Sequence, residues 1–194
     1  LRPILVNNWE ATYFDFDDEK IDSLAQTASE LGMELLVLDD GWFGKRDDDN
    51  SSLGDWFVNT KKLKQGLTGV AAAAHKRGMK FGLWFEPEMI SEDSELFRQH
   101  PEWVLQVPDY KSCFSRHQLV LDLSRPEVCE YIVNAVSKVL EAAPIDYVKW
   151  DFNRHLTEAF SGALPSQRQG ETKTRFVLGL YAVLERLTAK FPDV

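Results

Sequence analysis

Five short apolar runs punctuate the chain, and each ends in polar or acidic residues. They are Ile4-Leu5-Val6-Asn7-Asn8-Trp9-Glu10, Leu35-Leu36-Val37-Leu38-Asp39-Asp40, Lys80-Phe81-Gly82-Leu83-Trp84-Phe85-Glu86, Leu119-Val120-Leu121-Asp122 and Tyr147-Val148-Lys149-Trp150-Asp151-Phe152-Asn153-Arg154. Runs of this length and composition predict buried strands. Between them apolar residues recur at helical spacing. Asp17 to Leu31 places Ile21, Leu24, Ala25, Ala28 and Leu31 on one face, and Gly32 follows as a C-cap. Further helices are expected from about Thr68 to Arg77, closed by Gly78, and from Ser91 to His100, stopped by Pro101. Ser124-Arg125-Pro126-Glu127 matches a capping box that opens a helix to about Ala142, and a last helix covers about Thr174 to Lys190.

Strand followed by helix, repeated about five times, implies a parallel sheet. A dinucleotide-binding sheet would carry a glycine-rich turn after its first strand, and Asn8-Trp9-Glu10-Ala11 has none. A (β/α)8 TIM barrel instead gathers its functional residues at the C-terminal strand ends, where all five runs turn polar. A complete barrel takes about 250 residues and eight units. The expectation is therefore that residues 1–194 are an N-terminal part of an α/β barrel, with about five β/α units, from a larger protein.

A net charge of −9 with no basic cluster argues against nucleic acid as a partner. No apolar run approaches the roughly 18 residues of a membrane span, so no membrane partner is expected. Cys113 and Cys129 form neither a zinc pattern nor a disulfide framework, and the chain opens without a signal peptide. A reducing, cytoplasmic compartment is expected. The long polar loop from Gly41 to Gly66 contains Asp47-Asp48-Asp49-Asn50-Ser51, which invites a calcium reading. The loop pattern fails, with Ser52 where glycine is needed and Val58 where glutamate is needed. A solvated loop forming a wall of the site is the better reading.

The chemistry concentrates at the strand ends. Alternation along a strand puts Lys149 and Asp151 on one side, where the cation would favour the ionised carboxylate. Such a carboxylate can serve as a nucleophile or stand in an ordinary ion pair. Asp39-Asp40 is a carboxylate pair that must be satisfied by hydroxyls, amides or a cation; otherwise Asp40 caps a turn and Asp39 pairs with a lysine. Glu86-Pro87-Glu88 is a second acidic end, with its bend fixed by Pro87. Asp122 divides evenly between the rim and a structural role, and Arg116 could reach the rim. Trp9, Trp42, Trp84 and Trp150 lie at or beside strand ends, and an aromatic ring among carboxylates suits a sugar. Parity sends Trp150 to the helix layer and lets Trp84, on the face of Gly82 and Glu86, enter the site. His75, His100 and His117 show no ligand spacing, and His155 reads as a loop residue.

Taken together, Leu38-Asp39-Asp40-Gly41-Trp42-Phe43, Phe81-Gly82-Leu83-Trp84-Phe85-Glu86-Pro87-Glu88-Met89, Arg116-His117-Gln118-Leu119-Val120-Leu121-Asp122 and Lys149-Trp150-Asp151-Phe152-Asn153-Arg154 resemble the motifs of glycoside hydrolase family 36 α-galactosidases. The motifs run in order over essentially the whole chain. The resemblance implies a (β/α)8 catalytic barrel between β-domains and retaining cleavage of terminal α-galactosides such as melibiose and raffinose. It implies Asp151 as nucleophile, with Asp39, Asp40, Trp84, Arg116 and Lys149 binding galactose. No cofactor and no metal are expected, and a homo-oligomer of the intact enzyme is compatible with the sequence. The acid/base is an aspartate after the sixth strand and is expected beyond Val194, so the 194 residues alone should be inactive. Close alternatives are an α-N-acetylgalactosaminidase or a raffinose or stachyose synthase-like transglycosylase. More distant ones are a magnesium-dependent barrel lyase or isomerase using Asp39, Asp122 and Asp151, and a non-catalytic sugar-binding module.

Overall fold

The computed structural model describes residues 2–194. The apolar runs become short parallel strands: β1 (Leu5–Asn7), β2 (Leu35–Leu38), β3 (Lys80–Phe85) and β6 (Tyr147–Trp150), in the spatial order β1-β2-β3-β6. Each is followed by a helix on the return path, as parallel pairing requires. These are α2 (Asp18–Glu30) after a single helical turn α1 (Trp9–Thr12), then α3 (Gly66–His75), α5 (Pro126–Ala142) and α6 (Thr172–Lys190). This is four units of the (β/α)8 barrel pattern.

The fifth expected strand departs from that pattern. β5 (Gln118–Val120) pairs antiparallel with β4 (Met89–Ser91) in a separate two-stranded ribbon. β3 bonds β6 directly, with Gly82 opposite Tyr147 and Phe85 opposite Trp150, which leaves no place for β5 between them. The run Leu119–Leu121 is apolar for another reason. Leu105 donates its N–H to Val120, Val104 bridges to Leu121, and the facing Ser91 bonds Leu53, so loops cover the ribbon. The sheet thus contains four β/α units where the sequence suggested about five.

Helix ends mostly follow the sequence signals. Asp17 caps α2 by accepting from the Lys20 N–H at 2.9 Å, and Gly32 turns the chain at φ 79°. α3 begins slightly earlier than expected, at Gly66. α4 (Glu95–Gln99) is shorter than expected because Ser91 belongs to β4 and Ser94 is the cap, accepting from Phe97 N–H at 3.0 Å. The capping box before α5 does not form. Ser124 Oγ turns instead to Asp122 at 2.5 Å, and Pro126 occupies the first turn.

Register fixes which residues face the helices. Leu36, Phe81, Leu83, Phe85, Val148 and Trp150 share one face of the sheet. On this face Leu36 lines one cavity with Ile21, Ala25 and Val70, and Val148 and Trp150 line another with Val136, Leu140, Leu184 and Leu187. Trp150 is thus in the helix layer, as parity predicted. Asn7, Val37, Asp39, Gly82, Trp84 and Lys149 share the other face.

α6 approaches the rest of the fold closely at Gly179. A Cβ there would sit 1.9 Å from the Leu123 carbonyl oxygen and 3.1 Å from Cys129 Sγ. Alanine gains about 1 kcal/mol in helix propensity over glycine, but the carbonyl is backbone and cannot step aside. Gly179→Ala is expected to lose about 1–3 kcal/mol by overpacking, whereas Gly170→Ala, with nothing within 4 Å of the new carbon, should be near neutral. Urea unfolding of the two variants checks this, and equal stabilities would refute the close approach.

Candidate active site

The four parallel strands end together, so their next residues meet at one rim: Asn8 after β1, Asp39 and Asp40 after β2, Glu86 after β3 and Asp151 after β6. Asp39 and Asp40 are almost wholly buried, and Glu86 entirely so. Buried carboxylates need donors or cations, and the rim supplies them.

Asp39 Oδ2 receives Lys149 Nζ at 2.7 Å and Asn7 Nδ2 at 2.6 Å, while Asn8 Oδ1 accepts the Asp39 N–H at 2.7 Å. The bond crosses from β6 to β2 over β3, and Trp84 sits opposite Lys149 in the register between them. Lys149 therefore pairs with Asp39 and not with Asp151, contrary to the expectation from alternation. Parity puts Lys149 on the right face, but its long stem reaches across the strip to the deeper carboxylate.

Asp151 is held differently. Its N–H continues the ladder to the Phe85 carbonyl at 2.8 Å. Its Oδ2 accepts from Trp84 Nε1 at 3.1 Å and from Asn153 Nδ2 at 2.8 Å, and among the described residues its Oδ1 accepts only the Phe152 N–H at 3.2 Å. Trp84 is itself fixed. Its carbonyl accepts Trp42 Nε1 at 2.9 Å, and its ring stacks over Phe43. Trp42, a strand-end tryptophan in the sequence, is wholly buried and acts as core.

Asp40 is gripped by Arg46, with Nε to Oδ1 at 2.6 Å and Nη2 to Oδ2 at 2.7 Å, a two-pronged pairing suited to guanidinium. Burial raises the Asp40 pKa, and Arg46 only partly offsets it. Glu86 accepts from Arg116 Nη2 at 3.0 Å and from Asn153 Nδ2 at 2.8 Å, and burial raises its pKa against both. Burial works against the charge of Arg116 too, yet Glu86 and Asp49 outweigh it and raise its pKa. Asp49 reaches both arginines, Arg46 Nη2 at 3.3 Å and Arg116 Nη1 at 3.1 Å.

All six residues singled out in the sequence, Asp39, Asp40, Trp84, Arg116, Lys149 and Asp151, thus meet at the rim. Asp122 does not. It is buried against Ser124, Ser161 and Arg125, so Asp39, Asp122 and Asp151 do not converge on a magnesium site. No group of three or more metal-ligating side chains occurs among the described residues. Sequence reasoning missed Arg46, Asp49 and Asn153. The first two lie in the loop read as solvated, and the signal for Arg46 was the need of two adjacent buried carboxylates for two cations.

The family model described as Melibiase matches residues 1–194. The chain belongs to the Melibiase family, glycoside hydrolase family 36. Over its whole length it is 60% identical to α-galactosidase AgaA of Geobacillus stearothermophilus and 52% identical to α-galactosidase Mel36A of Lactobacillus acidophilus. It covers 26% of each, so it spans about a quarter of the length of these curated relatives. The crystal structure of AgaA superposes with a TM-score of 0.97 over 100% of this chain and 27% of that one. A variant of that enzyme solved in complex with raffinose matches at 59% identity with the same TM-score and the same shares of the two chains.

Removing Arg46 would strand a buried charge. Arg46→Met is expected to destabilise the protein by about 3–5 kcal/mol, the usual cost of breaking a buried pair. Arg46→Met with Asp40→Asn removes the charge as well and should recover much of that loss in a chemical-denaturation cycle.

Proposed function

We propose that these residues are the N-terminal part of the barrel of a retaining α-galactosidase that removes terminal α-linked galactose from oligosaccharides such as melibiose and raffinose. The observation that carries this reading is the asymmetry of Asp151. Two side-chain donors fix Oδ2, while Oδ1 has one long bond to the backbone of its own turn. A carboxylate anchored by one oxygen and available at the other is suited to attack the anomeric carbon. Identity of 60% to α-galactosidase AgaA over the whole length of this chain supports the same reading.

In this mechanism Asp151 Oδ1 forms a bond to the anomeric carbon as the glycosidic C–O bond breaks. A second carboxyl group protonates the departing oxygen. Water activated by that same group then splits the glycosyl-enzyme, and the anomeric configuration is retained. We assign the second carboxyl to a part of the protein outside these 194 residues. Asp39 and Asp40 accept hydroxyl hydrogen bonds from galactose, Lys149 and Arg116 donate to its oxygens, and Trp84 borders the sugar. Among the described residues no helix is long and apolar enough to cross a membrane. We place the protein in the cytoplasm, where the free thiols Cys113 and Cys129 would persist.

Substitution separates the roles in the full-length protein. Asp151→Gly should lower kcat on p-nitrophenyl α-galactoside by at least about 10³-fold, and azide should restore turnover and yield the β-galactosyl azide. Asp40→Ala removes a binding group, so azide should not rescue it. A wild-type rate for Asp151→Gly without azide would refute the assignment. A second check uses residues 1–194 alone, which should show no turnover; appreciable activity would place the acid/base within them.

A further inference from the structure

Glu88 is an acidic group at this rim that the mechanism leaves unused and that no cation meets. It lies in the turn between β3 and β4, two residues beyond Glu86, and only 1% of its surface is exposed. Among the described residues neither of its carboxyl oxygens has a partner at hydrogen-bond geometry, the N–H groups of Glu88 and Asn153 only approaching them. Its neighbours are all provided for: Asp39 by Lys149, Asp40 by Arg46, Glu86 by Arg116 and Asn153, and Asp151 by Trp84 and Asn153. The main chain of Glu88 cannot move away to find a partner, because its carbonyl accepts the Leu121 N–H at 2.8 Å and ties the turn to the ribbon.

The charges facing Glu88 make ionisation worse. Glu86 in its own turn and Asp151 after β6 are both negative, and both oppose a charge on it. The arginines of the adjoining segments direct their terminal nitrogens elsewhere. Arg116 serves Glu86 and Asp49, and Arg154 donates from its two terminal nitrogens to the carbonyls of Gln118 and Cys113, its Nε staying unpartnered among the described residues. Backbone N–H groups of Glu88 and Asn153 favour the ion, but burial outweighs them and raises the pKa well above the ordinary 4.5. A buried carboxyl with no cation and two like-charged neighbours avoids the cost by keeping its proton.

We infer that Glu88 is a positioning residue, held as the un-ionised acid beside the Asp151–Asn153 turn so that Glu86 alone engages Arg116 and Asn153. The chain of contacts then runs undivided from Arg116 through Glu86 and Asn153 to Asp151 Oδ2. An ionised Glu88 would compete for Arg116 and for the backbone of Asn153, and it would repel Asp151. Asn153 would then slacken its hold on the carboxylate. The functional half of this inference rests on Asp151 being the nucleophile; the protonation half does not.

The test compares Glu88→Gln, Glu88→Met and Glu88→Ala in the full-length protein. The sign of the stability effect follows from linkage. A carboxyl with a raised folded-state pKa keeps a proton that the unfolded chain releases above about pH 4.5, so its contribution is fully present below that value and is lost as pH rises toward the folded-state pKa. The uncharged variants lack this loss. The stability of Glu88→Gln relative to the wild type should therefore grow steadily as pH rises from about 4.5. A gap that shrinks or reverses would mean that Glu88 works as an ion, and would overturn the inference. So would failure of both Glu88→Gln and Glu88→Met to fold.

In activity, Glu88→Ala leaves a void beside the turn and should lower kcat about ten-fold. Glu88→Gln should recover most of that loss and carry the alkaline limb of kcat/KM to higher pH than the wild type. A Glu88→Gln enzyme as impaired as Glu88→Ala, with an unshifted limb, would overturn the positioning role. If the stability gap widens but Asp151→Gly retains wild-type turnover, the nucleophile assignment fails while the protonation of Glu88 stands.

Discussion

Burying carboxylates at the ends of parallel strands is the constraint from which the rest of this structure follows. Each such group is costly unless a cation or several donors meet it. The cations come from three separate places: Lys149 from β6, Arg46 from the loop after β2, and Arg116 from the segment before β5. Satisfying the rim therefore pins two long excursions over the sheet. Arg46 also holds the carbonyl of Ser51, and Lys62 ties the same loop to the carbonyls of Phe14, Gly41 and Arg46. Asp49 joins that loop to Arg116, so the two excursions close on one another.

The same constraint explains the neighbouring aromatic cluster. Trp42, Phe43, Trp56, Trp84 and Phe85 pack ring against ring at centroid distances of 4.5–6.3 Å. They exclude water from one side of the rim, which strengthens each ion pair above them. They also leave only defined directions for the indole N–H groups. Trp42 spends its own on the Trp84 carbonyl, and Trp84 spends its own on Asp151. The tryptophan spacing that suggested a sugar site thus has two physical parts, one structural at Trp42 and one at the site at Trp84.

Most of the fold was legible because strand period, helix period and end residues agree over Leu35–Asp40, Lys80–Glu86 and Tyr147–Asp151. Leu119–Asp122 misled because an antiparallel ribbon covered on both sides has the same apolar character as a central parallel strand. What separates them is the path before it. Arg116 and His117 sit at φ 52° and 55°, and no residue type there announces a left-handed backbone. The capping box at Ser124 failed because the helix starts one residue later than the box requires: Arg125 is the N-cap and Pro126 the first residue, and Ser124 instead donates to the buried Asp122. At the site, period two put Lys149 on the correct face but could not choose between carboxylates on β6 and β2. That choice depends on which acid is deeper, a property of the assembled sheet.

The rim carries more carboxylates than cations. With Lys149 on Asp39, Arg46 on Asp40 and Asp49, and Arg116 on Glu86 and Asp49, Asp151 is left with neutral donors. Such an excess disfavours folding, since the like charges share a poorly solvated space. It favours a reaction whose transition state develops positive charge on the sugar ring, as glycoside cleavage does. The excess cannot grow without limit, because each further charge draws the existing cations away from their partners. Glu86 can stay paired with Arg116 and Asn153 only while the acid two residues beyond it does not compete. Under the proposed assignment, a proton held on Glu88 would keep the negative charge at Asp151 rather than let it spread through the turn behind it.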